Sequence, residues 1–98
     1  MQIEFDWDPA KAANKAAKHG VPFEDAMMVF EDPLALSFHD LDSAGEERWI
    51  TVGEASIGNI LLVVHTWTET DGDNVFVRVI SARRPTRREI RQYREDSP

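Results

Sequence analysis

The chain has 98 residues, 42% of them apolar, a formal net charge of −7 and no cysteine. That length fits one small domain over 1–98 with a modest core, and the missing cysteine removes disulfides, thiolate catalysis and cysteine-ligated zinc. The longest apolar run, 60–64, is far too short for a bilayer, and so acidic a total argues against indiscriminate coating of nucleic acid.

Residues 2–7 read as a strand carrying Ile3, Phe5 and Trp7 on one face. Asp8 is placed to cap a helix with Pro9 in its first turn, where a missing N–H costs nothing. That helix runs to about His19 and stops at Gly20. Ala10, Ala13 and Ala17 form its narrow apolar stripe, while Lys11, Lys15 and Lys18 lie on another face. A second helix over roughly 23–31 carries Phe23, Ala26, Met27 and Phe30 at buried-stripe spacing and ends at Asp32-Pro33.

From there the period switches to two, with Leu34, Leu36 and Phe38 alternating with Ala35, Ser37 and His39. A polar loop over 40–46 leads into a strand near 48–53. After 54–58, the nearly continuous apolar run 59–67 predicts a central strand covered on both faces. Thr70-Asp71-Gly72-Asp73 is a turn and 74–82 the last strand. Thr86 and Glu89 form a capping box opening a terminal helix. The order is βααββββα, a small antiparallel sheet with two N-terminal helices and one C-terminal helix, of the α+β class.

Charge is divided unevenly along this plan. Residues 1–76 carry 4 cations and 15 acids, whereas 77–98 carry 7 arginines and 3 acids. Such a split marks a face that meets an anion, whether RNA, DNA or an acidic partner. Arg83, Arg84, Arg87 and Arg88 surround the junction of the last strand and last helix. Arg87 and Arg88 stand in that helix's first turn, where its dipole disfavours cations, so a negative partner offsets the cost. Internal pairing with some of the 18 acids is the alternative.

Cleaving RNA without metal needs a base for the 2′-hydroxyl, an acid for the leaving oxygen and donors for the phosphorane charge. His65, on the central strand with Leu61, Val63 and Trp67, is either a hydrogen-bonded core imidazole or a proton-transfer group. His19 either completes a helix C-terminus or takes part in catalysis; His39 heads an acidic loop and carries little weight. Arg78 sits on a strand face with Phe76, Ile80 and Ala82, so it is paired with an acid or pointed into a cleft. Tyr93 shares a helix face with Ile90, and packing is its first explanation, although its hydroxyl is within reach of the junction. Trp49, Trp67 and Phe38 read as core rather than base-stacking groups. Lys11, Lys15 and Lys18 most simply form a solvated face; the alternative, a phosphate track widened towards His19, requires the first helix to lie beside the last. No ligand spacing for a metal appears, and no cofactor motif. The segment Met-Gln-Ile-Glu-Phe-Asp has neither a basic region nor an apolar stretch, so a cytoplasmic location is expected.

Several runs, taken in order, resemble the BrnT toxins of bacterial type II toxin–antitoxin systems. They are Phe5-Asp6-Trp7-Asp8-Pro9-Ala10-Lys11, Lys18-His19-Gly20-Val21, Phe23-Glu24-Asp25-Ala26 and Val29-Phe30-Glu31-Asp32-Pro33. Gly45-Glu46-Glu47-Arg48 with Ile50 and Gly53 resembles the family's middle strand. Ile80-Ser81-Ala82-Arg83-Arg84, Thr86-Arg87-Arg88-Glu89 and Tyr93 resemble its C-terminal signature. Two positions depart: Lys15 stands where many relatives have asparagine, and Pro22 replaces a Ser-type cap.

The resemblance implies a RelE-like ribonuclease fold that arrests translation by cutting RNA. It also implies a BrnA-type ribbon-helix-helix antitoxin that neutralises the toxin and represses the shared operon, DNA being reached only through that complex. On this reading Arg83 and Arg84 with Arg78 hold the scissile phosphate, and His65 or His19 handles protons. Lys18, Arg87, Arg88 and Tyr93 support RNA binding. The rival is a non-catalytic module that binds an antitoxin as co-repressor. A DNA-binding regulator acting alone through the last helix is a third, opposed by the net charge of −7.

Overall fold

A computed structural model describes residues 1–41 and 45–96; residues 42–44 of the expected 40–46 loop lie outside them. Strand β1 (Gln2–Asp6) is followed by helices α1 (Pro9–His19) and α2 (Phe23–Val29). Then come β2 (Leu36–His39), β3 (Trp49–Ser56), β4 (Asn59–His65), β5 (Thr68–Glu69), β6 (Asn74–Arg83) and α3 (Arg87–Asp96). The sheet order is β1-β6-β4-β3-β2, with β5 paired to β6.

Local chemistry sets the helix ends. Asp8 accepts from the N–H groups of Ala10 and Lys11 at 2.9 and 3.2 Å, Pro9 opens α1, and Gly20 closes it at φ 71°. Pro22 provides no side-chain cap, and α2 begins behind it at Phe23. Thr86 and Glu89 bond reciprocally, the Thr86 N–H to Oε1 at 2.7 Å and the Glu89 N–H to Oγ1 at 3.2 Å, so the capping box opens α3. Asp32 turns the chain between α2 and β2 by accepting from the Leu34 N–H at 2.9 Å, which delays β2 to Leu36.

The sheet separates two apolar layers. Val21, Phe23, Ala26 and Val29 pack on Leu61, Val63, Val75, Val77, Val79 and Ala82. On the opposite face α3 lays Tyr93 and Ile90 over Val52, Ile60 and Leu62. Strand β4 is therefore central and covered on both sides, as its unbroken apolar run requires.

Three expectations are corrected. The sheet is mixed, because β1 pairs with β6 in parallel. The alternation of Ile3 and Phe5 fixes which face of β1 is buried, but it is blind to strand direction. The order gains β5, a two-residue polar strand with no pattern to read. Finally, β6 shifts register: His65 pairs with Val79 but Val64 with Ser81. The extra residue turns Ala82 to the α1–α2 face, away from Arg78. Among the described residues, no helix is long and apolar enough to cross a membrane.

Candidate functional site

The arginines divide into three settings. At the end of β6, Arg83 forms a forked pair with Glu89, Nη1 to Oε1 at 2.9 Å and Nη2 to Oε2 at 3.0 Å, and also donates to the Arg84 carbonyl at 3.2 Å. The bond to Arg83 holds the Glu89 carboxyl below its ordinary range, against the opposing effect of burial. Arg83 is thus engaged with Glu89 of α3, the internal pairing that the sequence left open as the alternative.

Around it Arg84, Arg87, Arg88, Arg91 and Arg94 are exposed, and none makes an ion pair among the described residues. On α3, positions 87, 91 and 94 follow i, i+4, i+7 spacing and share one face. Among the described residues this stripe is an exposed positive surface without an ion pair.

The third setting lies where β1 ends. Strand β6 runs on past Arg78 without a β1 neighbour, and a cleft of about 110 Å³ opens there. Asp8, Lys11, Glu46, Arg48, Arg78, Val79 and Ile80 line it. Arg78 Nη1 lies 3.4 Å from Asp6 Oδ2, with both side chains about half exposed, so the pair is loose and solvated. Arg48 keeps its Nε buried with no hydrogen-bond partner among the described residues. Three cations with carboxylates between them can hold a phosphodiester and accept a proton from a nearby hydroxyl.

Of the expected groups, Arg78 alone reaches this cleft. Along β6 it stands roughly 15 Å from Arg83. His19 and Lys18 stay at the far end of α1, with His19 about 12 Å along the axis from Lys11. His65 is buried. Its Nδ1 donates to the Thr66 carbonyl at 2.8 Å and its Nε2 lies 2.6 Å from Thr51 Oγ1. Phe30 stacks edge-on against the ring at 4.8 Å. Burial pushes the imidazole below its ordinary pKa, so it is held neutral with both nitrogens engaged.

Tyr93 also faces inward, its hydroxyl donating to Asp32 Oδ2 at 2.5 Å, and burial with that bond raises it to about 12. Burial raises Asp32, but bonds from Tyr93, the Glu54 N–H and the Leu34 N–H outweigh it and leave the carboxyl below its usual range. Tyr93 therefore ties α3 to the α2–β2 turn.

Sequence reasoning passed over Glu46 and Arg48 as site residues and weighed Lys11 only as part of a lysine face or phosphate track. The available signal was Arg48 itself, the only arginine outside the C-terminal run. Among the described residues, no three His, Cys, Asp or Glu side chains gather as a metal site.

A comparison with curated proteins gives no match. Among solved structures, the ribonuclease toxin BrnT of Brucella abortus is similar, with 24% identity and a TM-score of 0.60. The alignment covers 89% of this chain and 100% of that one, and it speaks for the fold. A model of the BrnT family, described as the ribonuclease toxin of a type II toxin–antitoxin system, matches residues 7–89. With most of its length matched, the chain belongs to the BrnT family of ribonuclease toxins.

Proposed function

We propose that the protein is a RelE-like endoribonuclease toxin that cuts RNA without a metal ion and arrests translation in the cytoplasm. A BrnA-type ribbon-helix-helix antitoxin neutralises it and carries the complex to DNA. The observation that carries this reading is the cleft where Lys11, Arg48 and Arg78 meet the carboxylates of Glu46 and Asp8. The exposed arginines of α3 extend the positive surface and guide the strand towards it.

In this scheme Glu46 takes the proton of a 2′-hydroxyl, whose oxygen attacks the adjacent phosphorus. Arg48 and Arg78 hold the charge that grows on the phosphorane oxygens. The bond to the 5′-oxygen breaks, and the Lys11 ammonium protonates that leaving group. The products are a 2′,3′-cyclic phosphate and a 5′-hydroxyl end. Arg84, Arg87 and Arg88 bind flanking phosphates, while Arg83, His65 and Tyr93 hold the scaffold. Lys18 and His19, displaced along α1, serve a more distant part of the strand.

The test is RNA cleavage in EDTA by purified protein. Arg48→Ala and Arg78→Ala are expected to lower the rate about 100-fold or more while circular dichroism stays unchanged. Full activity in both variants, or loss of wild-type activity on chelation, would overturn the scheme. The co-repressor alternative draws on Arg78 and Arg83 both having acidic partners. It requires that induction of the wild-type gene leave growth and RNA intact while the antitoxin still binds.

A further inference from the structure

Beyond the charged cleft, one cavity has a different chemistry. About 160 Å³ in volume, it is lined by Ser37, Trp49, His65 and Trp67. Trp67 is 36% exposed, although its ring meets His65 edge-on with centres 6.5 Å apart. Trp49 is braced from outside by His39, whose ring centre lies 4.0 Å away and whose Nε2 bonds Glu47 at 2.9 Å. The walls are therefore aromatic, and one of them is held in place before any ligand arrives.

The floor has a fixed hydrogen-bond polarity. The Thr66 carbonyl only accepts, so His65 carries its proton on Nδ1. Its bare Nε2 then accepts from Thr51 Oγ1 at 2.6 Å. Thr51, having given its proton, accepts from Ser37 Oγ at 2.8 Å. Every proton in the chain points inward, and Ser37 shows the cavity only lone pairs. A ligand here must be flat, apolar on its faces and equipped with an N–H donor on its edge.

Chain neighbours link the cavity to the proposed phosphate cleft. Arg48 of the cleft precedes Trp49, and the Arg78 N–H bonds Thr66 Oγ1 at 3.0 Å. A cavity on the order of 150 Å³ is enough for one aromatic ring.

We propose that this cavity seats one unpaired nucleobase of the RNA substrate against the two indoles, with Ser37 accepting a hydrogen bond from the base's N–H edge. The assignment rests on the ribonuclease reading above and adds a base-selecting subsite to it. Trp49 and Trp67 supply stacking, and Ser37 accepts from a donor that every base carries on its edge. A volume of about 160 Å³, enough for one ring, selects a pyrimidine over a purine.

Uncharged nucleosides test the subsite without engaging the arginines. Uridine and cytidine are expected to quench tryptophan fluorescence saturably. Quenching by 3-methyluridine, which lacks the N3–H donor, should be at least about tenfold weaker. Ser37→Ala should abolish that difference, and Trp67→Ala should weaken every nucleoside about tenfold. On RNA, Trp67→Ala should slow cleavage to a similar extent and flatten the base distribution at the cut sites. Equal binding of uridine and 3-methyluridine to the wild-type protein would overturn the proposal. So would an unchanged rate and cut-site pattern in both variants while the wild type cleaves normally. If the wild type cleaves no RNA at all, the ribonuclease reading fails, and the nucleoside titration still decides what the cavity binds.

Discussion

Replacing Arg83 with alanine should loosen α3 rather than abolish phosphodiester chemistry. The guanidinium makes two charge-assisted bonds to Glu89, and that carboxylate also accepts from the Thr86 N–H at 2.7 Å as the cap of α3. The side chains of Arg83 and Glu89 are 37% and 27% exposed, so solvent screens the pair and its contribution falls to about 1 kcal/mol. For a domain of this length that is roughly 4–8 °C in melting temperature. Glu89→Gln should cost a similar amount, and the double variant scarcely more than either, because both remove one interaction.

The effect has a defined pH window. Glu89 titrates below its ordinary value, so its contribution is complete above the unfolded-state pKa and disappears as pH falls through the folded-state one. The gap between wild type and Arg83→Ala should therefore close in acid. Urea and thermal melts of the four proteins, with RNA cleavage measured well below every midpoint, supply the check. An Arg83→Ala variant that melts like wild type yet loses cleavage about 100-fold would refute this reasoning and place Arg83 on the phosphate.

Gly53→Ala should destabilise by about 1–3 kcal/mol in chemical unfolding, because a Cβ there would lie 2.8 Å from Val29 Cγ1 and 3.2 Å from the Val29 carbonyl. A melt within error of wild type would show that α2 moves freely over β3. His65 has a lowered pKa through burial, so its neutral form supports the fold above the unfolded value of about 6.5, and that support declines as pH drops towards the folded value. His65→Asn should flatten the stability slope just below pH 6.5, whatever its effect on overall stability; an identical slope would mean the imidazole carries no such linkage.

The elements were legible because each is punctuated by residues with one physical use. Asp8, Pro9, Gly20, Thr86 and Glu89 set helix ends as their chemistry dictates, and the apolar run in β4 announced a central strand. Pairing direction was not legible, since a strand's alternation is the same whether its neighbour runs with it or against it. The register shift in β6 left no mark either, because valine, isoleucine and serine fit both sides of a bulge. That single residue changes which side chains share a face with Arg78.

The site was harder to read for a related reason. Arginine density pointed to the β6–α3 junction, yet the densest group contains the member most firmly tied to an acid. An acid three residues after a helix cap is held by the cap, and the nearest guanidinium completes its coordination, so sequence proximity favours mutual neutralisation. Cations brought together from distant segments have no such local partner. Lys11, Arg48 and Arg78 come from the first helix, the residue before β3 and the middle of β6, and only tertiary structure makes them neighbours. The same holds for Ser37, Thr51 and His65, whose hydrogen-bond chain crosses three strands. Its direction is fixed by the acceptor-only Thr66 carbonyl, which no residue pattern records. In this fold, therefore, the charge run is written in chain order, while the cleft and the cavity are each assembled from segments far apart in sequence.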